Sequence, residues 1–327
     1  MPGRRAALGL GFAGLVARPA LAEQQGAAPT WPARPLRLVV PWPPAGTADI
    51  LARQIAPPLS AALGQSVVVE NRGGASGAIG TVEVLRAAPD GTTIGLSIST
   101  IVTAALLTRQ PYDPVQDVAP ILHLADVPNI LVVHPSLPVH SVKELIAYGK
   151  ANPGKLSFGS VGSGSGGHLA MADLMARAGL EMVHVPYRGF PQATLDLVAG
   201  RIEAMVIVSA GILPQMREGR VRALAVTAER RNPQAPDVPT LAEAGIPDAA
   251  SYAWNALIAP ATTPADRVAR LAEEAGKALA EPATRAALEA GGFEVVASGP
   301  EEATRFVAAE TARWSGLIAK LGIKAEA

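Results

Sequence analysis

The sequence predicts an α/β protein with largely parallel strands, divided into two units. Short β-branched runs alternate with helical patterns along the 327-residue chain, which is typical of parallel sheets covered by helices. The alternation occurs in two successive series, and the chain then ends in long helices that have few strands of their own to cover. We therefore expect residues 23–130 with 253–327 to form one unit and residues 131–252 to form the other.

The first series begins soon after the N-terminal segment. Its predicted strands are Leu36–Val40, Val67–Glu70, Thr93–Ile98 and Ile130–Val133, and its predicted helices are Asp49–Leu63, Ala78–Ala88 and Val102–Thr108. In the first helix Leu51, Ile55, Leu59 and Leu63 recur at a spacing of four, which places them in one apolar stripe against the sheet. Pro57 and Pro58 fall inside the same helix, where we expect a kink or a break.

The second series repeats the pattern and is followed by a helical C-terminal region. Its predicted helices are Val142–Ala151, His168–Ala178, Pro191–Ala199 and Ile212–Glu218, and its strands are Leu156–Ser160, Met182–Val185, Ala204–Val208 and Ala223–Thr227. A run at Tyr252–Ile258 leads to helices at Ala265–Leu279, Pro282–Ala290 and Pro300–Leu321, which we expect to pack on the first unit. Two chain crossings, near Val127–His134 and near Ser251–Ala259, predict a hinge.

The N-terminus reads as a cleavable secretory signal. Arg4 and Arg5 precede an apolar run at Ala6–Ala17 and the small-residue pattern Ala20-Leu21-Ala22, so we expect cleavage after Ala22. The apolar run of about a dozen residues is too short to span a hydrocarbon core of roughly 30 Å, so an uncleaved anchor is the weaker alternative. The two arginines leave a twin-arginine export route open.

Composition excludes several classes of protein. The chain has no cysteine, which excludes a lipoprotein anchor, a disulfide framework, a thiol nucleophile and cysteine-ligated metals. Lys plus Arg and Asp plus Glu both total 28 without a basic block, so the charge pattern of a nucleic-acid-binding protein is missing. The five histidines lack H-x-x-x-H spacing, and we therefore expect neither a metal nor a cofactor.

Candidate binding residues lie where strands run into helices, because the first helical turn offers unpaired N–H groups and the positive end of the helix dipole. Such termini bind anions readily. The first candidate loop contributes Pro44, Ala45, Gly46, Thr47 and Asp49. Asp49 is most simply interpreted as an N-cap, and an ordinary strand-to-helix turn is the alternative interpretation of the whole loop.

A second candidate loop is rich in glycine and serine. It contributes Ser160, Gly162, Ser163, Gly164, Ser165 and His168. Its glycines permit positive φ, so consecutive N–H groups can converge on one oxygen. Gly162, Gly164 and Gly167 also match the G-x-G-x-x-G dinucleotide fingerprint, but the next strand ends at Pro186-Tyr187-Arg188 without the required acidic residue. We interpret that match as coincidence.

A third polar rim, Ser97, Ser99 and Thr100, follows the strand at Thr93–Ile98, with a solvated turn as the alternative. Three further side chains are candidates for the same site. Arg72 follows a strand and precedes glycines, while Arg188 could grip a carboxylate with two parallel hydrogen bonds. Tyr187 lies next to Arg188 at the end of a predicted strand.

Ordered matches along nearly the whole mature chain resemble one family. They are Arg34–Pro41, Val67–Arg72, Ala87–Gly91, Pro111–Pro114, Ala151–Leu156, Val183–Gly189, Leu224–Thr227 and Asp237–Thr240. The chain resembles the periplasmic solute-binding components of tripartite tricarboxylate transporters, the Bug proteins. The resemblance implies a two-lobed Venus-flytrap fold of the type II periplasmic-binding class, with a mixed sheet flanked by helices in each lobe.

The resemblance also implies a ligand carboxylate held by backbone amides, hydroxyls and ordered water at three places: Pro44–Asp49, Ser97–Thr103 and Ser160–His168. It lowers the importance of Arg188. The chain departs from the family pattern at Ala45, where a glycine is usual, at Thr103, where Asn is frequent, and at Ile207 and Val208, where polar residues are frequent. The departure at Ile207 and Val208 predicts an apolar wall beside the distal part of the ligand.

We therefore expect a periplasmic, monomeric protein that captures a small organic acid and hands it to membrane transporter subunits. A sensor for a membrane signalling partner would use the same fold. An exported hydrolase using a serine with His168 or His184, and a dehydrogenase on the glycine-rich loop, are weaker alternatives. No G-x-S-x-G elbow surrounds Ser160, Ser163 or Ser165.

Overall fold

A computed structural model describes residues 31–187 and 189–323 of the chain. The predicted signal segment, with its cleavage after Ala22, lies outside the described residues, and so does the candidate cation Arg188. Within the described ranges no helix is both long enough and apolar enough to cross a membrane.

The first half of the structure alternates strands and helices as predicted. Its elements are β1 (Leu36–Val40), α1 (Thr47–Leu63), β2 (Val67–Asn71), α2 (Ala78–Leu85), β3 (Thr93–Ile98) and α3 (Thr100–Leu107). β1 lies between β2 and β3 and is parallel to both, so that Leu38 is opposite Val69 on one side and Ile94 on the other. The carboxyl ends of these strands consequently share one edge.

The second half repeats this arrangement. Its elements are α4 (Val142–Ala151), β5 (Ser157–Ser160), α5 (Gly166–Ala178), β6 (Val183–Pro186), α6 (Phe190–Val198), β7 (Ala204–Val208), α7 (Ser209–Arg217) and β8 (Arg222–Val226). β5 lies between β6 and β7 and is parallel to both, with Phe158 opposite His184 and Ala204. All eight elements were anticipated with boundaries shifted by only a few residues.

One long strand, β4 (Val118–Val133), passes through both halves, which makes the expectation of separate sheets wrong. Together with β9 (Tyr252–Pro260) and β10 (Glu294–Ser298), it completes a ten-stranded sheet. Eight of the strands follow the order β2-β1-β3-β9-β4-β7-β5-β6, and β8 and β10 each pair with β4 outside this order. β9 and β10 pair with the first part of β4, and β7 and β8 pair with its last part. The two halves are therefore continuous through β4.

The first part of β4 and the whole of β10 were not predicted. β4 contains Pro120 and Pro128, and a proline inside an apparent strand argues against a strand interior because it lacks an N–H donor. The ladder between β4 and β9 accommodates this by shifting register between Pro120 and Leu122 and again between His123 and Ala125. β10 is only five residues long, and its partner lies far away in the sequence.

Helix α1 buries the predicted apolar stripe, since Leu51, Ile55 and Leu59 are fully buried. The expected break at Pro57 and Pro58 is wrong, because α1 continues as one helix from Thr47 to Leu63. The two prolines remove hydrogen bonds to the carbonyls four residues earlier, those of Arg53 and Gln54. Both of those residues are exposed, so water can satisfy their carbonyls.

The C-terminal helices α8 (Ala265–Ala280), α9 (Pro282–Ala290) and α10 (Pro300–Leu321) pack on the first half, as predicted. α8 lies against α1 and β4, and α10 lies against α3 and β4. α10 buries Trp314, which is 3% exposed, and it also touches α5 of the second half. The last helix therefore contacts both halves.

Candidate functional site

The ends of strands from the two halves point toward each other along β4. β3 runs in the same direction as β4 and ends at Ile98, which is opposite Asn255 of β9, and Asn255 is opposite Ala125 of β4. β7 runs the other way and ends at Val208, opposite Asn129 of β4. At about 3.3 Å per residue, these strand ends are roughly 13 Å apart along β4. Helices α3 and α7 therefore begin on opposite sides of one gap.

The loop before α1 is fixed by Asp49. This residue is 3% exposed, and its carboxylate accepts hydrogen bonds from the Ala45 N–H at 2.9 Å and from Arg53 Nε at 3.0 Å. The N-cap is Gly46, so the interpretation of Asp49 as N-cap is wrong. Burial pushes the pKa of Asp49 upward, but the hydrogen bonds from Arg53, Ala45 and Asn71 outweigh burial and hold the pKa below its ordinary value.

The part of this loop that remains available is its backbone. Pro44, Ala45 and Gly46 are exposed, and the amides of Thr47 and Ala48 begin α1, where the helix itself supplies no acceptor. Ala45 has a φ of 65°, the left-handed conformation that glycine adopts most easily. The predicted residues of this loop thus lie together, with Asp49 holding the loop from inside.

The rim after β3 is more buried than the sequence indicated. Ser97, Ser99 and Thr103 are 2%, 9% and 1% exposed, and Thr100, the first residue of α3, is half-buried. Ser99 is the N-cap of α3, and its backbone N–H donates to Trp254 O at 3.1 Å. Thr103 Oγ1 is buried without a hydrogen-bond partner. A buried hydroxyl of this kind carries a free-energy cost until something pairs with it.

The glycine-rich loop between β5 and α5 is closely fixed by its own residues. Ser165 is the N-cap of α5 and accepts the His168 N–H at 3.4 Å. The Gly164 N–H donates to His168 Nδ1 at 3.0 Å, and Ser160 Oγ lies 2.9 Å from Gly162 O. His168, which was predicted as a ligand contact, therefore accepts a hydrogen bond from the backbone of its own loop in this structure.

The loop and α3 meet, although they come from opposite halves. A methyl group placed on Gly164 would overlap Leu107 Cδ1, so backbone and side chain are already in close contact there. Leu107 and Thr103 are four residues apart and share one face of α3. Ser163 precedes Gly164, and its Oγ is also buried without a partner. Each half therefore places an unpaired hydroxyl close in sequence to this contact: Ser163 directly before Gly164, and Thr103 one helical turn before Leu107.

Below the loop, three aromatic rings stack. The centroids of His168 and His184 are 4.0 Å apart, and those of His184 and Phe158 are 4.9 Å apart. His184 Nε2 lies 2.7 Å from Ser160 Oγ, a separation that a nucleophile and its base would also show. However, Ser160 is 1% exposed, so its hydroxyl is not accessible to a substrate, and Gly162 O at 2.9 Å competes with His184 for its single hydrogen. When that hydrogen points to Gly162 O, the histidine donates to the serine, which is the reverse of general-base activation.

Three residues of this region, Ser209, His184 and Leu107, were not among the predicted ligand-binding residues. Ser209 opens α7, is fully buried, and its Oγ has no partner. Its position directly after β7 is the same signal that selected the other loops, and could have identified it. His184 and Leu107 offered no comparable signal, because their roles depend on contacts with residues distant in sequence.

Other candidates are engaged elsewhere. Arg72 lies 3.2 Å from Glu70, and Tyr187 donates to Asp196 at 2.9 Å. Burial and then that hydrogen bond raise the pKa of the Tyr187 hydroxyl to about 12. Ile207 and Val208 are 1% and 8% exposed, and both belong to the core that includes residues of α6 and α7, so the predicted apolar wall stays a prediction.

A cavity of about 780 Å³ lies away from this region, along β8 and the start of α4. It is lined by Arg222, Leu224, Ser141 and Pro239, among others, and contains none of the predicted site residues. We place the candidate site instead at the gap over β4, because helix termini and unpaired hydroxyls from both halves converge there.

The chemistry of the gap suits an anion. Amides at the starts of α1, α3, α5 and α7 supply hydrogen-bond donors and dipoles, and the hydroxyls of Thr103, Ser163 and Ser209 can donate as well. Across the described residues, no group of three or more His, Asp or Glu side chains is arranged to hold a metal ion.

Known proteins are similar to this chain over most of its length. The family model described as "Tripartite tricarboxylate transporter family receptor" matches residues 51–323. Protein BugT of Bordetella pertussis (strain Tohama I) is 37% identical over 300 residues, which cover 91% of this chain and 92% of BugT.

Solved structures are similar over most of the chain. The periplasmic binding protein BugD superposes with a TM-score of 0.78 at 34% identity, covering 90% of this chain and 100% of BugD. The structure of R. palustris Rpa4515 with adipate has a TM-score of 0.81 at 37% identity, and the match covers 90% of this chain and 100% of Rpa4515. The structure of MatC (Rpa3494) from Rhodopseudomonas palustris with bound malate has a TM-score of 0.77 at 31% identity, and the match covers 88% of this chain and 100% of MatC.

The predicted fold class is therefore confirmed as the two-lobed periplasmic-binding-protein fold. Its relatives of known structure are solute-binding proteins rather than enzymes. On the family match and on the identity to BugT, this chain belongs to the tripartite tricarboxylate transporter receptor family, the Bug proteins.

Proposed function

We propose that this protein captures a small carboxylate-bearing solute in the periplasm and delivers it to the membrane subunits of a tripartite tricarboxylate-type transporter. The observation that carries the proposal is the pair of buried, unpartnered hydroxyls of Thr103 and Ser163, contributed by opposite halves. A ligand oxygen that pairs with both would offset the cost of burying them. It would also hold the two halves together.

The proposal includes the organisation predicted from the sequence. The mature protein begins after Ala22, acts as a monomer without cofactor, and folds into lobes of residues 23–130 with 253–327 and of residues 131–252. Adipate and malate, named with two similar structures, support a carboxylate as the ligand class. The site residues that we propose contact it, directly or through water, are Ala45, Gly46, Thr47, Ser99, Thr100, Thr103, Gly162, Ser163, Gly164 and Ser209.

The energy of such a site is sufficient only with lobe closure. Hydrogen bonds to a charged group contribute about 1.5 to 3 kcal/mol each, so three give roughly 5 to 9 kcal/mol before association costs. Micromolar binding requires about 8 kcal/mol net. Burial of the rest of the ligand and exclusion of water between the lobes must therefore supply the difference.

The first experiment is a thermal-shift and calorimetry panel on the mature protein, residues 23–327. The panel contains mono-, di- and tricarboxylates, including adipate and malate, with the uncharged diamides as matched controls. A true ligand at 100 times its Kd should add about 2.7 kcal/mol of stability, and its diamide should add none. No shift with any acid, or equal shifts with acids and diamides, would refute carboxylate capture.

The second experiment tests delivery. Removing the gene should abolish uptake of the identified acid by cells, and restoring it should recover uptake. High-affinity binding with unchanged uptake would instead favour a sensor that reports the acid to a membrane signalling partner.

A further inference from the structure

Two histidines hold both ends of the glycine-rich loop at residues 160–165. At its second end, His168 Nδ1 accepts the Gly164 N–H at 3.0 Å. At its first end, His184 Nε2 is 2.7 Å from Ser160 Oγ, and the Gly162 N–H points to the same oxygen at 3.2 Å. The rings stack with centroids 4.0 Å apart, so each ring helps to fix the orientation of the other.

The hydrogen-bond partners determine where the ring protons lie. A backbone N–H can only donate, so His168 Nδ1 must carry a lone pair, and the imidazole is neutral with its proton on Nε2. Ser160 Oγ has one hydrogen and lies within hydrogen-bond distance of both Gly162 O, at 2.9 Å, and His184 Nε2, at 2.7 Å. We assign that hydrogen to Gly162 O, which makes His184 the donor to Ser160 Oγ through Nε2–H. Only the His168 assignment rests on a group of fixed character, the donating Gly164 N–H.

The loop needs such support. Gly162 has a φ of 113° and Gly164 has a φ of 79°. A glycine can adopt many other backbone conformations, so these two residues need contacts that hold them in place. Ser163, between them, carries the buried hydroxyl that we assign to the ligand. Fixing its two neighbours sets the direction of that hydroxyl and of the adjacent amides before a ligand arrives, which reduces the ordering cost of binding.

We propose that His168 and His184 are positioning residues that preorganise the loop 160–165 for its ligand. His168 acts as a neutral acceptor through Nδ1, and His184 acts as a donor through Nε2. The inference rests on the proposed function for its effect on affinity, but its hydrogen-bonding content is independent of any ligand. It replaces the prediction that His168 contacts the ligand.

Amide side chains test the two roles with matched pairs. Asn places its Oδ1 where a histidine has Nδ1, and Gln places its Nε2 where a histidine has Nε2. His168→Asn therefore keeps the acceptor for Gly164, whereas His168→Gln moves it. Conversely, His184→Gln keeps the donor to Ser160, whereas His184→Asn moves it. All four variants lose the stacked rings, so the members of each pair differ in the placement of the polar atom and in one methylene group.

The first readout needs no ligand. In the wild type, nitrogen NMR of the imidazoles should show unprotonated Nδ1 for His168 and protonated Nε2 for both rings. Amide hydrogen exchange at Gly164 should be about ten times faster in His168→Gln than in His168→Asn, the factor that corresponds to 1.4 kcal/mol. A proton on His168 Nδ1, or equal exchange in the two variants, overturns the inference.

The second readout is calorimetric titration with adipate, and with malate in parallel. Wild type, His168→Asn and His184→Gln should agree within about twofold in Kd, while His168→Gln and His184→Asn should bind about tenfold more weakly. Equal affinity in all five proteins overturns the inference, as does equal loss in all four variants. If the wild type binds no acid of the panel, the proposed function fails, and the exchange contrast at Gly164 alone decides whether the histidines position the loop.

Discussion

A methyl group at Gly164 should weaken ligand binding as well as folding, whereas a methyl group at Gly154 should weaken folding alone. Gly164 has a φ of 79°, and a Cβ there would overlap Leu107 Cδ1 on α3 of the other half. Gly154 provides a matched control in the same half, because its φ is 67° and a Cβ there meets nothing within 4 Å. Gly154→Ala therefore measures the backbone cost alone, and Gly164→Ala adds the contact with Leu107.

The expected magnitudes follow from these two terms. An alanine in the left-handed region costs about 1 to 2 kcal/mol, and both variants should lose that amount of unfolding free energy. In Gly164→Ala, the Leu107 side chain must leave its rotamer or the halves must separate, which adds about 0.5 to 1.5 kcal/mol. A penalty of about 1.4 kcal/mol on the closed form alone raises Kd tenfold.

Urea unfolding and calorimetric titration with the identified acid give both quantities. Gly154→Ala should keep the wild-type Kd, whereas Gly164→Ala should bind about tenfold more weakly. Adding Leu107→Ala to Gly164→Ala should recover part of the lost affinity, because the overlapping methyl group is removed. Equal affinity in Gly154→Ala and Gly164→Ala would show that the contact between the loop and α3 has no part in binding.

Three further substitutions test the loops separately. Ala45→Gly should raise the free energy of unfolding by about 0.5 to 1 kcal/mol in urea titration, because φ is 65° there; a decrease would contradict the strain assigned to Ala45. Thr103→Val should leave unfolding free energy unchanged or slightly higher, since its hydroxyl is unpaired, yet weaken ligand binding; unchanged Kd would exclude this hydroxyl from the site. Asp49→Asn should cost about 1 to 2 kcal/mol at neutral pH. Because the folded-state pKa of Asp49 is lowered from 3.8, this deficit should be full above that value and vanish as acid protonates the wild-type carboxylate; a deficit independent of pH between 2 and 7 would contradict the assigned ion pair.

The local elements could be predicted from the sequence because each carries its own periodicity. The stripe Leu51, Ile55 and Leu59 identified α1, and the strand-to-helix transitions at Ser99 and Ser165 identified where α3 and α5 begin. These features depend on residues a few positions apart, where spacing determines which side chains share a face.

Pairings between distant segments could not be predicted in this way. The prolines of β4 prevented prediction of the first part of this 16-residue strand. The strand accommodates them through register shifts opposite β9, which the sequence does not indicate. The contact of His184 with Ser160 arises only after β5 and β6 align in parallel, with Phe158 opposite His184. The sequence therefore indicated where the loops lie, while the tertiary structure determines which side chains are left unpaired.

The hinge that we propose is best placed where β4 changes partners. Up to Pro128 its neighbour is β9, and from Asn129 it is β7. Pro128 has no N–H to donate, so the backbone ladder is weakest at this change. Thr227 ties the crossing together, because its N–H donates to Asn129 O at 2.8 Å and its hydroxyl to Ser251 O at 2.5 Å.

Both chain crossings therefore meet at one hydrogen-bonded point, beside the gap that receives the strand ends. Closure about this point requires small changes in φ and ψ next to Pro128 rather than rupture of either ladder. Because the ligand gap lies over the same segment of β4, a slight bend there alters the distance between Thr103 and Ser163 directly. In the function that we propose, ligand capture and lobe movement would then be one event, driven by pairing the Thr103 and Ser163 hydroxyls, one from each half.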